Sequence, residues 1–370
     1  MRIYIAFIFY FICMYCLGSD TIKIGLRTID SEQFIFRVVH GNYKIFSGNN
    51  YLKTLNVNEK TMVRVYDESI IIQKEANKYF FPKDSIRFEP SDSNAHFSIL
   101  NSQRNNSRNY MGHLYVKVKK EKLVLVNMLS MKYYLPGVIK AEIGNLFHPE
   151  FLKAIAIISR TYTVKNMNKH KTEDYHLCDQ THCHVYLGRI NEYDIKKAIN
   201  ATKGEILVDT GMHLIDAVYH SNSGGITSCS EWVWKSDFSY LKSVADSFSN
   251  KGKHYMWEMK IEKSKWNQML NKFNLVNTDL LSLDNLNRRE YFDKKNNIKM
   301  VDVRYALGLK SSVFKVNHIG EKTIIEGRGY GHGVGLSQEG AYHMSHDGYS
   351  YDDILFFYYK DVTLTNFSEL

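Results

Sequence analysis

The sequence predicts an α+β protein, rich in strand and carrying a few helices. Three observations lead there. Short runs of strand composition, such as Thr21-Ile-Lys-Ile-Gly-Leu-Arg27, Gln33-Phe-Ile-Phe-Arg-Val-Val39, Leu114-Tyr-Val-Lys-Val-Lys119 and Leu123-Val-Leu-Val126, are set apart by turn residues such as Gly41-Asn42 and Ser47-Gly-Asn-Asn50. One segment, residues 149–166, repeats Phe151, Ala154, Ile155 and Ile158 at helical spacing behind Pro149, a residue suited to a first helical turn. Proline is scarce (4 residues) and Tyr and Phe are abundant (26 and 20), a composition that suits pleated surfaces.

Taken in order, residues 1–18 read as a secretory signal peptide. Arg2 is a minimal positive region, residues 3–12 are apolar, and Cys16-Leu-Gly18 places a small residue near a cleavage point. Two alternatives stay open: an uncleaved anchor, and a lipoprotein modified at Cys16, whose preceding Cys13, Met14 and Tyr15 fit such a site poorly. The expected location is outside the cytoplasm, in the periplasm or cell envelope, with membrane contact only if the N-terminus is retained or lipidated. Residues 19–126 form an N-terminal β-rich region, in which the Asn- and Ser-rich stretch 91–108 reads as a loop. Residues 127–366 hold the chemistry. Within them 251–300 is Lys- and Asn-rich, a helix is expected near 264–273 with Ser264 as its N-cap, and 260–320 reads as a candidate insertion.

The chain has 370 residues and 44% hydrophobic content, enough to bury a full core and too much for a disordered chain. Its net charge of +9 suits an anionic partner. The basic residues are dispersed, with no Arg-rich arm or nucleic-acid motif, so nucleic acid is not an expected partner. Cys178, Cys183 and Cys229 remain beyond the leader, an odd number that argues against a disulfide framework.

Four segments carry chemistry. In Tyr134-Leu-Pro-Gly-Val-Ile-Lys-Ala-Glu142 a carboxylate lies between a turn-prone Pro136-Gly137 and the apolar helix that ends in Arg160-Thr-Tyr162, an element boundary from which an acid can be presented. Cys178-Asp-Gln-Thr-His182-Cys183-His184 packs two thiols and two imidazoles into seven residues, the donor set zinc prefers. Cys178, His182 and Cys183 are the expected ligands, with His170 or His176 as the fourth. A Cys178–Cys183 disulfide and free thiols are the competing readings. Val218-Tyr-His220-Ser-Asn-Ser-Gly-Gly225 runs a strand into a turn whose hydroxyls and N–H groups can grip a sugar, with Ser221 and Ser223 as the contacts. A serine nucleophile activated by His220 is disfavoured, because neighbours in a strand point to opposite faces. Gly327-Arg-Gly-Tyr-Gly-His332-Gly-Val-Gly-Leu-Ser-Gln338 lets backbone approach a ligand closely, with His332 and Gln338 supplying polar contacts. It lacks the Lys-Ser/Thr ending of a phosphate loop.

These segments, in this order, resemble the SpoIID/LytB family of cell-wall proteins. The family reads Tyr-Leu-x-Gly-Val-Val-x-x-Glu-Met-Pro, then Arg-Thr-Tyr, a Cys-Asp-x-x-His-Cys-Gln run, His-Ser-x-Ser-Gly-Gly-x-Thr, and Gly-Tyr-Gly-His-Gly-Val-Gly-Met-Ser-Gln before a Tyr-x-x-Ile-Leu-x-x-Tyr-Tyr helix. The chain departs from it where Ile143-Gly-Asn145 follows the glutamate and where His184 stands in place of Gln. The resemblance implies a SpoIID-like catalytic core and a lytic transglycosylase acting on peptidoglycan glycan strands. It makes Glu142 the acid and then the base, Arg160, Tyr162, Ser221, Ser223, Tyr255, His332 and Gln338 the substrate contacts, and His170, Cys178, His182 and Cys183 the ligands of a structural zinc. The alternative it implies is a non-catalytic wall-binding enhancer of a cell-wall amidase.

Overall fold

The computed structural model describes residues 21–29, 31–74, 78–80, 85–100, 107–275 and 286–370. The leader at 1–18, with Cys16, lies outside the described residues, as do parts of the 91–108 and 260–320 stretches.

Helices and mostly antiparallel sheets coexist, so the fold is α+β. A seven-stranded sheet runs in the order Leu177–Cys178, Thr21–Gly25, Lys122–Ser130, His113–Lys119, Ser85–Pro90, Tyr43–Ser47, Asn50–Leu55. A six-stranded sheet runs Ser107–Met111, His96–Leu100, Gln33–His40, Lys60–Tyr66, Ser69–Lys74, Lys78–Phe80. Period-two patterning decides which faces meet. Phe34, Phe36 and Val38 point inward from one strand, and Ile86 and Phe88 from another. The sheets meet where Phe36 stacks 4.1 Å from Phe88, while Phe97, 4.7 Å from Phe36, flanks it within the same sheet. Such pairs add about 0.5–1.5 kcal/mol beyond the area they bury. The last strand to join is Leu177–Cys178, laid parallel on Thr21–Gly25 with Gly25 opposite Cys178.

Helix α1 (Met131–Ile143) follows the strand Lys122–Ser130 directly. It passes through Pro136-Gly137, which corrects the turn expected there. Pro136 deprives the Lys132 carbonyl of its helical donor, a cost of about 3 kcal/mol in an isolated helix. Burial of Tyr134, Leu135, Val138, Ile139 and Pro136 itself offsets it. Gly137 is there for space. A Cβ at this position would lie 2.4 Å from the Gly188 carbonyl oxygen and 2.8 Å from the Tyr186 ring. Gly137→Ala is therefore expected to lower stability by about 1–2 kcal/mol, although alanine is the better helix former. Urea unfolding checks this, and an unchanged or higher midpoint would overturn it.

Helix α2 (Pro149–Lys165) has Pro149 in its first turn and Asn166 as its C-cap, as the periodicity predicts. Its middle, from Phe151 to Thr161, is buried on almost every side, as befits a helix at the centre of a fold. Helices α3 (Tyr193–Ala201), α4 (Ser230–Val233), α5 (Lys263–Lys272), α6 (Met300–Leu307), α7 (Gln338–His346) and α8 (Tyr351–Tyr358) follow in chain order. Of these α3, α7 and α8 pack on α2. A capping box of Ser350 and Asp353 starts α8.

A second core contains Trp257, Trp266, Leu270, Phe292, Val303, Phe314 and Ile325, all between residues 257 and 325. It is built from α5, α6 and the three-stranded sheet Met256–Glu262, Lys322–Arg328, Phe314–Ile319. The N-cap of α5 is Glu262, not Ser264. The helix leaves the strand Met256–Glu262 without a loop, and the Lys263 N–H is taken by the Glu321 carbonyl.

Candidate active site and metal centre

Glu142 sits in the last turn of α1, half-buried, just before Gly144 ends the helix at φ +60°. Burial pushes its carboxyl above the usual carboxylate range, and a hydrogen bond with the Tyr219 phenol pulls it partly back. Among the described residues no second carboxylate contributes to that shift. Tyr219 was not among the residues singled out in the sequence, where it reads as ordinary strand aromatic. It lies on the two-residue strand Tyr219–His220, which pairs in parallel with Leu336–Ser337. That pairing brings the Ser/Gly motif and the Gly-rich motif together.

The Gly-rich segment grips the backbone of both partners. The His332 Nε2–H donates to the Tyr219 carbonyl at 2.9 Å, while the Val334 N–H donates to His332 Nδ1 at 3.1 Å. This pattern assigns the neutral Nε2–H tautomer. Burial holds the imidazole pKa down at about 4, so it stays neutral. Its ring packs 5.2 Å from Trp234 and 5.5 Å from His220. The Gln338 amide donates to the Glu142 carbonyl at 3.4 Å. The His332 Nε2–H and the Gln338 amide N–H, expected to face substrate, donate to the carbonyls of Tyr219 and Glu142. Glycine is required at 335, where φ is +70° and a Cβ would fall 2.1 Å from the Val218 carbonyl oxygen.

The other expected contacts are placed as follows. Arg160 is buried in α2, and its guanidinium donates to the carbonyls of Glu205 (2.8 Å) and Ile199 (3.4 Å). These bonds tie α2 to its neighbours. Ser223 is fully buried and donates to Asp246 Oδ2 at 2.7 Å, with Ser249 Oγ 2.9 Å away. Among the described residues no hydrogen bond joins Ser223 to His220, whose Nδ1 meets the Val334 carbonyl at 3.1 Å, so these two do not form a nucleophile–base pair. Ser221 is half-exposed. Tyr162 is half-buried beside the Cys/His loop, its hydroxyl 3.3 Å from Lys169 Nζ and its ring 4.2 Å from His184. Tyr255 is half-exposed, against Arg328 and next to Gly225.

The Cys/His run folds into one cluster. The donor atoms of His170, Cys178, His182 and Cys183 all lie within 4.8 Å of one another. Cys183 Sγ is 3.3 Å from His170 Nε2 and 3.5 Å from His182 Nδ1, and Cys178 Sγ is 3.9 Å from His182 Nδ1. These separations are near those between the corners of a tetrahedron with metal–ligand bonds of about 2.0–2.3 Å. Both thiols are free. His170, not His176, completes the set, since His176 Nδ1 accepts from the Lys23 N–H. His184 is buried apart, against Tyr162. The His170 Nδ1 meets Glu173 Oε1 at 3.0 Å, the carboxylate–histidine arrangement that orients metal-binding imidazoles. Glu173 is held in turn by Arg27 and Tyr175. Asp179, next to Cys178, accepts the Arg27 N–H at 2.8 Å. Burial pushes the Cys183 thiol up to about 11, and a bound cation would favour its thiolate. The residues present fit a four-coordinate zinc.

Comparison with known proteins places this geometry. The SpoIID model, described as "Stage II sporulation protein", matches residues 119–208, which include Glu142 and the four-residue cluster. The chain is 30% identical over 264 residues to "Stage II sporulation protein D" of Bacillus subtilis, covering 65% of this chain and 76% of that protein. It is 26% identical over 365 residues to an uncharacterized protein of Brachyspira hyodysenteriae, covering 95% of each. It is 26% identical over 294 residues to "Amidase enhancer" of Bacillus subtilis, covering 63% of this chain and 40% of that protein.

Proposed function

The chain belongs to the SpoIID/LytB family and has a cell-wall-related role, and from that premise we propose that it is a peptidoglycan lytic transglycosylase with Glu142 as its acid and base. One observation carries the reading: a half-buried carboxyl at a helix end, its pKa raised by burial and its carboxyl engaged by a phenol. Hydrolysis by the usual route needs two carboxylates about 5–9.5 Å apart. An intramolecular displacement needs one. Glu142 protonates the glycosidic oxygen as the bond from the anomeric carbon to that oxygen breaks. The resulting carboxylate then takes the proton of the same sugar's 6-hydroxyl, whose oxygen bonds to the anomeric carbon and closes an anhydro ring. No water is consumed, and Glu142 ends protonated. Tyr219 sets the energy of the carboxylate, and His332 and Gln338 fix the two backbones that carry the pair. Zinc held by His170, Cys178, His182 and Cys183 would supply a structural cross-link, because four protein donors close its shell. Export to the cell envelope belongs to the same proposal.

The test is product mass after incubation with peptide-stripped and intact strands. Anhydro-ended fragments are the expected result. Hydrated ends would overturn the mechanism. Strand binding without products, with stimulation of an amidase retained in Glu142→Gln, would establish the enhancer instead, the reading that the name of the Bacillus subtilis relative suggests.

Tyr219→Phe tests the pair. Tyr219 lowers the Glu142 pKa, so its removal raises it. The first step needs Glu142 protonated, so activity falls as pH rises through that pKa. The alkaline limb of kcat/KM is thus expected to move to higher pH in Tyr219→Phe. A limb that stays in place, or moves down, would overturn the assignment.

A further inference from the structure

A cavity of about 360 Å³ opens beside the first half of α1, away from the Glu142 end. Its lining includes Lys132 and Tyr133 from α1, Arg189, Lys196 from α3, and the imidazoles of His40 and His96 from the six-stranded sheet. No Asp or Glu lines it. Among the described residues none of its three permanent cations forms an ion pair, although Lys140 and Lys153 nearby both do. Lys196 reaches only the amide oxygen of Asn191, at 2.6 Å, and Lys132 lies 4.7 Å from the centre of the Tyr133 ring.

Gathering like charge is unfavourable unless something answers it. The cost is visible at two members of the cluster. Lys196 is held below the ordinary lysine range by burial and then by Arg189. His96 is likewise lowered, chiefly by burial, with Arg189 and His40 adding to it. Lys132 sits in the first turn of α1, a turn that holds no acid and where the helix dipole disfavours a cation. Cations kept apart from carboxylates, in a concavity large enough for a ligand group, are the arrangement of an anion site.

We infer that this cavity binds a carboxylate carried on a side arm of the peptidoglycan strand, a site separate from the cleavage centre at Glu142. The inference rests on the glycan reading of the preceding subsection and adds to it which part of the polymer is gripped. The side arm is favoured over the sugar backbone by charge, because the backbone sugars are neutral and the carboxylates are carried on their substituents. Glu142 stands six to ten residues beyond Pro136 and Lys132 on the same helix, roughly 9–15 Å along its axis at about 1.5 Å per residue. It also faces a different side of the helix, since each residue turns by about 100°. A sugar at Glu142 is too far from the cavity for its own lactyl carboxyl to reach it, so the occupant is carried on a neighbouring sugar of the strand or at the end of a peptide. In peptidoglycan the side arm is the lactyl group of muramic acid, with its carboxyl either free or extended by a peptide that ends in carboxylates.

The experiment measures binding, so it does not depend on catalysis. The full chain with Glu142→Gln is titrated with peptide-stripped muramyl oligosaccharide, the same oligosaccharide bearing stem peptides, and a neutral chitooligosaccharide of equal length. The titrations are repeated in a variant that also carries Lys132→Gln, Arg189→Gln and Lys196→Gln, with thermal melting of both proteins as the fold control. Removal of the three charges is expected to weaken binding of at least one carboxylate-bearing ligand by roughly tenfold, to leave the chitooligosaccharide constant within about twofold, and to flatten the salt dependence. A loss confined to the stripped ligand identifies the free lactyl carboxyl as the occupant, and one confined to the peptide-bearing ligand identifies the peptide. Unchanged binding of both, or equal weakening of charged and neutral ligands, overturns the anion site and leaves the glycan reading standing. A chain that binds none of the three, before any charge is removed, overturns the glycan reading and the site with it.

Discussion

Glu142→Gln is expected to reduce strand cleavage by about 10²–10⁴-fold, the range that a positioned general acid contributes. The amide keeps the shape and the contact with Tyr219, but it can neither give up a proton nor receive one. The loss should appear in kcat with little change in KM, because only the group that acts in the transition state has been altered. Stability should move the other way. A carboxyl whose folded pKa is raised loses stability as pH rises through that pKa, since ionisation then takes place in a site that resists charge. Above that pKa the variant is free of the cost and should melt no lower than wild type. Below the ordinary carboxylate range both forms are neutral and the difference should close. Unimpaired cleavage, measured by product mass over time, would remove Glu142 from the chemistry.

Removal of metal is expected to be the largest perturbation of stability. Four donors from residues 170–183 converge in a region with little other regular structure, so a bound zinc would be the main tie there. Structural zinc contributes about 10–16 kcal/mol in small zinc-binding peptides. In a chain with a large core of its own the expected loss is smaller, about 3 kcal/mol or more, which corresponds to a fall in Tm of about 4 °C or more for a chain of 370 residues. Calorimetry with and without a chelator measures it, beside a metal assay of the purified protein. Cys183→Ser should behave like chelated wild type and should be insensitive to the chelator. A protein that carries no stoichiometric zinc, and whose Tm ignores both treatments, would overturn the metal centre.

Legibility in the sequence followed the range of the interaction. Helix α2 could be read because Pro149 and the spacing of Phe151, Ala154, Ile155 and Ile158 are local signals. The cluster could be read because three of its ligands fall within six residues. The choice between His170 and His176 could not, since it depends on the Lys23 N–H, which takes His176 from a strand 153 positions away. Helix α1 was hidden by Pro136-Gly137, where tertiary burial overrides a local breaker. Tyr219 was hidden for a different reason: an aromatic residue in a strand is ordinary, and only the pairing of Tyr219–His220 with Leu336–Ser337 sets it beside Glu142's support. His332 and Gln338 were picked out by their motif, but a motif does not show whether a side chain faces solvent or a backbone carbonyl. The same holds for Ser223 and Arg160, polar residues whose burial and internal partners a motif does not show.

The second core confines its apolar residues to positions 257–325, and its last strand ends at Arg328, four residues before His332. Such a unit can open by itself, at a free energy below that of the whole chain. Opening would slacken the anchor of the Gly-rich segment while α1 and the two large sheets stayed folded. Activity would then fade at a temperature or denaturant concentration where the bulk of the secondary structure is still intact, and it would return on cooling without passage through a fully unfolded chain.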